Sequence, residues 1–152
     1  MDRVNGGDAP RRRGGPSTAL RTSPSTVLRT GEMREYLGER REDGAFVEVI
    51  VFSASGHVQA RWPLAKFNHV VNYSTWFEWG CFGDGPSQLA VAILTDCLGA
   101  QEAQEHYPWF TADMIARIDC APAPNRVAGR RAWSITEPEI TAWHKGQHEE
   151  PA

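Results

Sequence analysis

Trp76-Phe77-Glu78-Trp79-Gly80-Cys81-Phe82-Gly83-Asp84-Gly85-Pro86-Ser87-Gln88-Leu89 is the stretch on which the fold turns. Its glycines break regular structure at Gly80, Gly83 and Gly85. Pro86 then suits a first helical position, where its missing N–H is not needed, and Asp84 or Gly85 stands as the cap. Downstream, Leu89, Ala92, Ile93 and Cys97 recur at helical spacing, and Val91, Leu94 and Leu98 widen the apolar surface until Gly99 ends it. A helix apolar around most of its circumference belongs in the middle of a fold.

Upstream the pattern changes period from helical to strand. Ala45 to Phe52 is rich in Val, Ile and Phe, with Val47, Val49 and Val51 on one face and Phe46, Glu48, Ile50 and Phe52 on the other, which predicts a central strand. Arg34 to Arg41 precedes it across the turn Glu42-Asp43-Gly44. His57 to Trp62 follows across Ser53 to Gly56. These make an antiparallel meander, and Asn68 to Tyr73 is placed as a fourth strand. The fold class is therefore α+β: a small antiparallel sheet of three to four strands packed against about three helices, with the segment Trp76 to Pro86 joining sheet to buried helix.

Beyond the first helix, Gln101 to Asp119 predicts a second. Tyr107, Phe110, Met114, Ile115 and Ile118 lie on its inner face, Glu102, Glu105, Asp113 and Arg117 mainly outside, and Pro108 predicts a kink or break near His106. Cys120 to Arg131 is a loop. Thr136-Glu137-Pro138-Glu139 forms a capping box flanked by Ile135 and Ile140, and opens a last helix running to about Lys145 through Trp143. Residues 147–152 are expected to fray, leaving one domain over 33–146.

The first 32 residues differ in kind. Pro-Ser-Thr-Ala-Leu-Arg-Thr-Ser at 16–23 is followed by Pro-Ser-Thr-Val-Leu-Arg-Thr-Gly at 24–31. Two such octapeptides, with little apolar surface, predict a disordered low-complexity tail over 1–32, and Met33 is read as the true or ancestral start. Residues 1–30 carry six arginines against Asp2 and Asp8, a net of +4; with −3 overall, the rest carries −7. An acidic body repels phosphate, so nucleic-acid binding is expected only through the arginine-bearing tail.

No run approaches a membrane span, and Met1 to Gly15 lacks the apolar stretch of a signal peptide, so a soluble, cytoplasmic protein is expected. Cys81, Cys97 and Cys120 lie 16 and 23 residues apart. With no Cys-x-x-Cys pair and an odd count, they are read as small buried hydrophobes. His57, His69, His106, His144 and His148 offer only the His144/His148 pair at i, i+4, in the terminus expected to fray. Neither a metal site nor a cofactor is expected. No Gly-x-Ser-x-Gly elbow occurs.

The string Phe77-Glu78-Trp79-Gly80, then Gly83, Gly85-Pro86 and Gln88-Leu89-Ala90, resembles the centre of a bacterial and phage family catalogued as Domain of Unknown Function 6166. Members typically read N-H-S-P, two residues, F-E-W-G, then G-S-G-P-A-Q-L-A. Tyr36-x-Gly38-x-Arg40 before Gly44 and Trp133-x-Ile135-Thr136 are also similar to the family, so the resemblance spans about residues 35–143. Here Tyr73 stands where His is usual and Thr75 where Pro is usual, Pro108 interrupts the second helix, and the loop at 121–131 is longer. Loss of the His removes support from a catalytic reading. The resemblance implies the domain limits and an association with phage or mobile elements, and it implies no activity.

Within this stretch the candidate ligand-binding residues are Tyr73, Trp76, Glu78, Trp79, Gly83, Gly85 and Ser87. Glycines feeding a helix start expose amides suited to an anion, although here a tight turn and close packing explain them better. Glu78 between Phe77 and Trp79 is the candidate acid or base if burial raises its pKa; the favoured reading is that it braces the loop, accepting loop amides or pairing with Arg40. Tyr73, Trp76, Trp79 and Phe82 form either an aromatic platform or, by the favoured reading, core. The function expected is a non-catalytic binding or accessory module for a protein partner or small anionic ligand. The alternative is a small hydrolase acting on a phosphorylated or nucleotide substrate, with Glu78 as base, the Gly83 to Ser87 amides holding the anion, and Asp84, Arg40 or His69 beside them.

Overall fold

The computed structural model describes residues 20–21, 28–118 and 132–148. Strands β1 (Met33–Arg41), β2 (Gly44–Phe52) and β3 (Val58–Pro63) form the expected meander, followed by helices α1 (Asp84–Leu98) and α2 (Ala100–Phe110). A π-helical turn, Thr111–Ile115, continues α2, and β4 (Ala132–Thr136) leads into α3 (Glu137–His148). The sheet is antiparallel with order β3-β2-β1-β4, which places β1 and β2 inside. Among the described residues no helix is long and apolar enough to cross a membrane.

Alternation along the strands builds one buried face. Tyr36 lies opposite Val49 and Ile135, Val49 opposite Trp62, and Val51 opposite Ala60, all of them buried. Against this face sits α1, whose residues Leu89 to Leu94 are all buried, as its continuous apolar surface requires. Gly38 is fixed by close approach: a Cβ there would lie 2.3 Å from the Trp133 ring, which lies over β1 at that point.

Between sheet and α1 lies a polar knot. The Tyr36 hydroxyl donates to Asp96 Oδ2 at 2.6 Å, and Arg34 Nη1 donates to the Asp96 carbonyl at 2.5 Å. Burial pushes the Asp96 carboxyl above its ordinary value despite these partners, and burial together with the Asp96 charge pushes Tyr36 well above its own.

Several expectations need correction. Asn68 to Tyr73 is a turn-rich loop, and the fourth strand is Ala132–Thr136. Five residues are too few for alternation to stand out from the loop expected before them. Pro108 leaves α2 helical to Phe110, and the irregularity falls later, as the π turn. There Thr111 Oγ1 donates to the Tyr107 carbonyl at 2.7 Å, and widening of the helix absorbs the defect. Helix α3 runs to His148 instead of Lys145. Its capping box forms as expected: Thr136 N–H reaches Glu139 Oε1 at 3.0 Å, and Glu139 N–H reaches Thr136 Oγ1 at 3.3 Å.

Most of the expected tail, including residues 16–19 and 22–27 of the octapeptide repeat, and the expected loop at 120–131 lie outside the described residues. The described part of the tail is attached to the domain. Arg21 bridges in parallel to Ala60, its N–H donating to Gln59 O at 3.1 Å and its carbonyl accepting from Arg61 at 2.8 Å, and its guanidinium pairs with Glu32. Cys81 is exposed rather than buried, and Cys97 is half-buried with its thiol pushed up to about 12 by burial. Cys120 lies outside the described residues.

Candidate functional site

The loop from Lys66 to Gly83 is organised by one buried side chain, Gln88, in the first turns of α1. Its Oε1 accepts from Tyr73 N–H at 2.7 Å and Ser74 N–H at 3.1 Å. Its Nε2 donates to Lys66 O at 2.7 Å and Val71 O at 2.9 Å. All four bonding positions of the amide are used, so the chain has little freedom between Lys66 and Ser74. Ser74 extends the pinning: its Oγ accepts from Trp76 N–H at 3.0 Å and donates to Trp76 O at 2.8 Å. At the far end Gly80 N–H donates to Ile115 O at 3.0 Å, fastening the loop to the π turn.

Along this loop the four aromatic residues divide. Trp79 is only 2% exposed, so it belongs to the core and not to a platform. It meets Trp133 edge to face with ring centroids 5.3 Å apart, and the Arg40 guanidinium lies 4.7 Å from a Trp79 ring centroid. Trp76 and Phe82, by contrast, are 61% and 72% exposed. Tyr73 is exposed as well, with its hydroxyl bonded to that of Tyr107 on α2.

Glu78 pairs with Arg40, and its Oε1 also accepts from Trp79 N–H at 3.1 Å. Burial alone raises its pKa, but the Arg40 hydrogen bond, the Trp79 amide and the Arg40 charge outweigh burial and hold the carboxyl below its ordinary value. The raised pKa on which the acid or base alternative depended is not found, and the carboxyl pairs with Arg40 and a loop amide as the favoured reading expected. Gly85 must be glycine because a Cβ there would lie 2.7 Å from Glu78 Cβ and 3.3 Å from Trp76 Nε1. Trp76 and Glu78 therefore flank the start of α1 side by side.

That helix start is poorly suited to an anion. It has no side-chain cap, but Ser87 N–H donates to Gly83 O at 3.0 Å and Pro86 has no N–H. At most the Asp84 and Gly85 amides remain, beside the Asp84 carboxylate, which repels an anion. The other groups named for a hydrolase do not converge: His69 is exposed against Phe67, Asp84 is exposed, and Arg40 is committed to Glu78.

A second constellation lies between α2 and α3, and spacing alone did not assemble it. Glu102 and His106 are i, i+4 on α2; His144 and His148 are i, i+4 on α3. His144 Nε2 is 2.8 Å from Glu102 Oε2 and 3.0 Å from His148 Nε2, and His106 Nε2 is 3.3 Å from the same Glu102 oxygen. Because α3 continues past Lys145, the pair expected to fray is held in a helix. The signal available in the sequence was the Glu102/His106 spacing, which duplicates that of His144/His148. Bonding to His144 holds the Glu102 carboxyl below its ordinary range, with the charges of the three histidines adding to the effect.

A family model described as "Family of unknown function (DUF6166)" matches residues 36–146. No curated protein and no solved structure matches the chain.

Proposed function

The chain belongs to this family of unknown function, DUF6166, and from that premise we propose that the domain is a non-catalytic binding module whose loop Tyr73 to Phe82 contacts a protein partner. The observation that carries the reading is the pairing of exposure with rigidity. Trp76 and Phe82 are large, solvent-facing aromatics, yet the loop bearing them is tied down by Gln88, Ser74, Gly80 and the Arg40–Glu78 pair. Isolated exposed apolar residues are ordinary, but three exposed aromatics within ten positions of one pinned loop form a preorganised apolar contact. Preorganisation reduces the ordering entropy of binding, and buried Trp and Tyr dominate interface energetics. The accessory role in phage or mobile elements that the resemblance implies is part of the same proposal.

The hydrolase alternative has no comparable support, since Glu78 is held by an arginine and a backbone amide. The test is site-specific photocrosslinking in the native host from position 76, with the captured protein then expressed and its affinity measured. Trp76→Ala with Phe82→Ala is expected to weaken that affinity at least about 30-fold, the effect of one to two anchor residues, with an unchanged circular dichroism spectrum. Undiminished affinity in the double variant overturns the reading.

A further inference from the structure

We propose that Glu102, His106, His144 and His148 form a structural site for one divalent transition-metal ion, with zinc the best fit, joining α2 to α3. Four ligand atoms, three imidazole nitrogens and one carboxylate oxygen, all lie within 4.8 Å of one another. A tetrahedral zinc with bonds of about 2.0 to 2.1 Å places its ligands about 3.3 Å apart, and the distances here, 2.8, 3.0, 3.3 and 4.0 Å, fall on both sides of that value. Nitrogen-rich donors of borderline softness select zinc and its neighbours over magnesium or calcium.

Proton bookkeeping within the cluster points the same way. A neutral imidazole carries one N–H, so His144 Nε2 either donates to Glu102 or presents a lone pair to His148. One proton on that nitrogen cannot satisfy both neighbours in full. His106 Nε2 is buried and, although near Glu102, has no aligned hydrogen-bond partner. With neutral imidazoles, lone pairs of His144, His148 and Glu102 face one another around one point, and a cation at that centre satisfies them together.

The surroundings suit a clamp. Ile140 is the only buried residue of α3, so that helix has a thin apolar anchorage. Trp143, which stands edge-on to His106 at 6.3 Å and to Phe110 at 4.9 Å, walls one side and donates its Nε1 to Asp113 at 2.8 Å. Ligands in i, i+4 pairs from two helices fix both the rotation and the separation of those helices. Four protein ligands fill a tetrahedral shell, which assigns the ion a structural role and no open position for substrate.

The test is calorimetric titration of zinc into metal-stripped full-length protein, repeated with cobalt(II) for its visible spectrum. One ion per chain, the intense ligand-field bands of four-coordinate cobalt, and a rise in Tm of several degrees are expected. His106→Ala and His144→Ala should each weaken binding more than about 100-fold, beyond the loss typical of an outer-sphere partner. Should either fail to fold, His148→Ala keeps the test available, because its side chain is 53% exposed. Cys81→Ser should bind as the parent does. The proposal is overturned if no ion binds, if binding survives in the histidine variants, or if the exposed Cys81 thiol proves to be what holds the metal.

Discussion

The Gln88 loop and the Glu102 cluster are both polar groups placed inside or between elements, and they differ in how fully they are satisfied. Around Gln88 every donor meets an acceptor: two amides to its Oε1, two carbonyls from its Nε2. Around Glu102 three imidazole nitrogens compete for one carboxylate oxygen, and one of them has no aligned partner. A saturated buried network holds shape and asks for nothing further. An unsaturated convergent one is where a ligand belongs. Glu78, despite its setting among aromatic residues, is engaged by Arg40 and the Trp79 amide.

The largest effect should come from removing the hub of the saturated region. Gln88→Leu strands two buried amides and two carbonyls, and a loss of about 3 to 5 kcal/mol in urea unfolding is expected. Gln88→Glu should recover only part of this, because a carboxylate accepts from Tyr73 and Ser74 but cannot donate to Lys66 and Val71. Stability of Gln88→Leu within 1 kcal/mol of the parent, roughly the scatter of ordinary surface changes, breaks the comparison.

Next comes the packing that seats this region on the sheet. Gly38→Ala drives a methyl into the Trp133 ring, 2.3 Å away, and should lower stability by about 2 to 4 kcal/mol, with the near-ultraviolet tryptophan signal changed.

Arg40→Gln should have a smaller effect, about 1 kcal/mol at neutral pH, since the Glu78 side chain is 32% exposed and the pair is screened by solvent. The pH dependence has a definite sign. Glu78 has a depressed folded-state pKa, so its contribution is present above the unfolded carboxyl value of about 4.3 and is lost as pH falls through the folded value. Parent and Arg40→Gln should therefore converge below about pH 4 when unfolding is followed across acid pH. A gap that stays constant to low pH shows that Arg40 acts through its stacking on Trp79.

The smallest effect sharpens the other side of the comparison. In metal-stripped protein His148→Ala should change stability by no more than about 0.5 kcal/mol, because the side chain is 53% exposed. The same substitution should matter when zinc is present, and the difference between the two measurements isolates the ligand.

Legibility followed sequence distance. Thr136 and Glu139 announced their cap because the two bonds run three residues apart, and Leu89 to Leu94 announced a buried helix by composition alone. Trp76 and Trp79, three residues apart in one extended stretch, looked alike, yet only Trp79 finds the Trp133 ring and the Arg40 guanidinium to cover it. Glu78 carries two readings in sequence because its partner Arg40 lies 38 residues away on β1.

What the sequence determined by itself is the set of strands β1 to β3, the buried helix α1, the cap of α3 and the glycine-bearing entry to α1. Each rests on periodicity or on bonds between near neighbours. Tertiary structure alone decided the pairing of β4 with β1, the four partners of Gln88, the pairing of Glu78 with Arg40, and the meeting of Glu102 with His144 across 42 residues. The physical reason is that period reveals which face of an element turns inward, whereas only packing determines what that face meets.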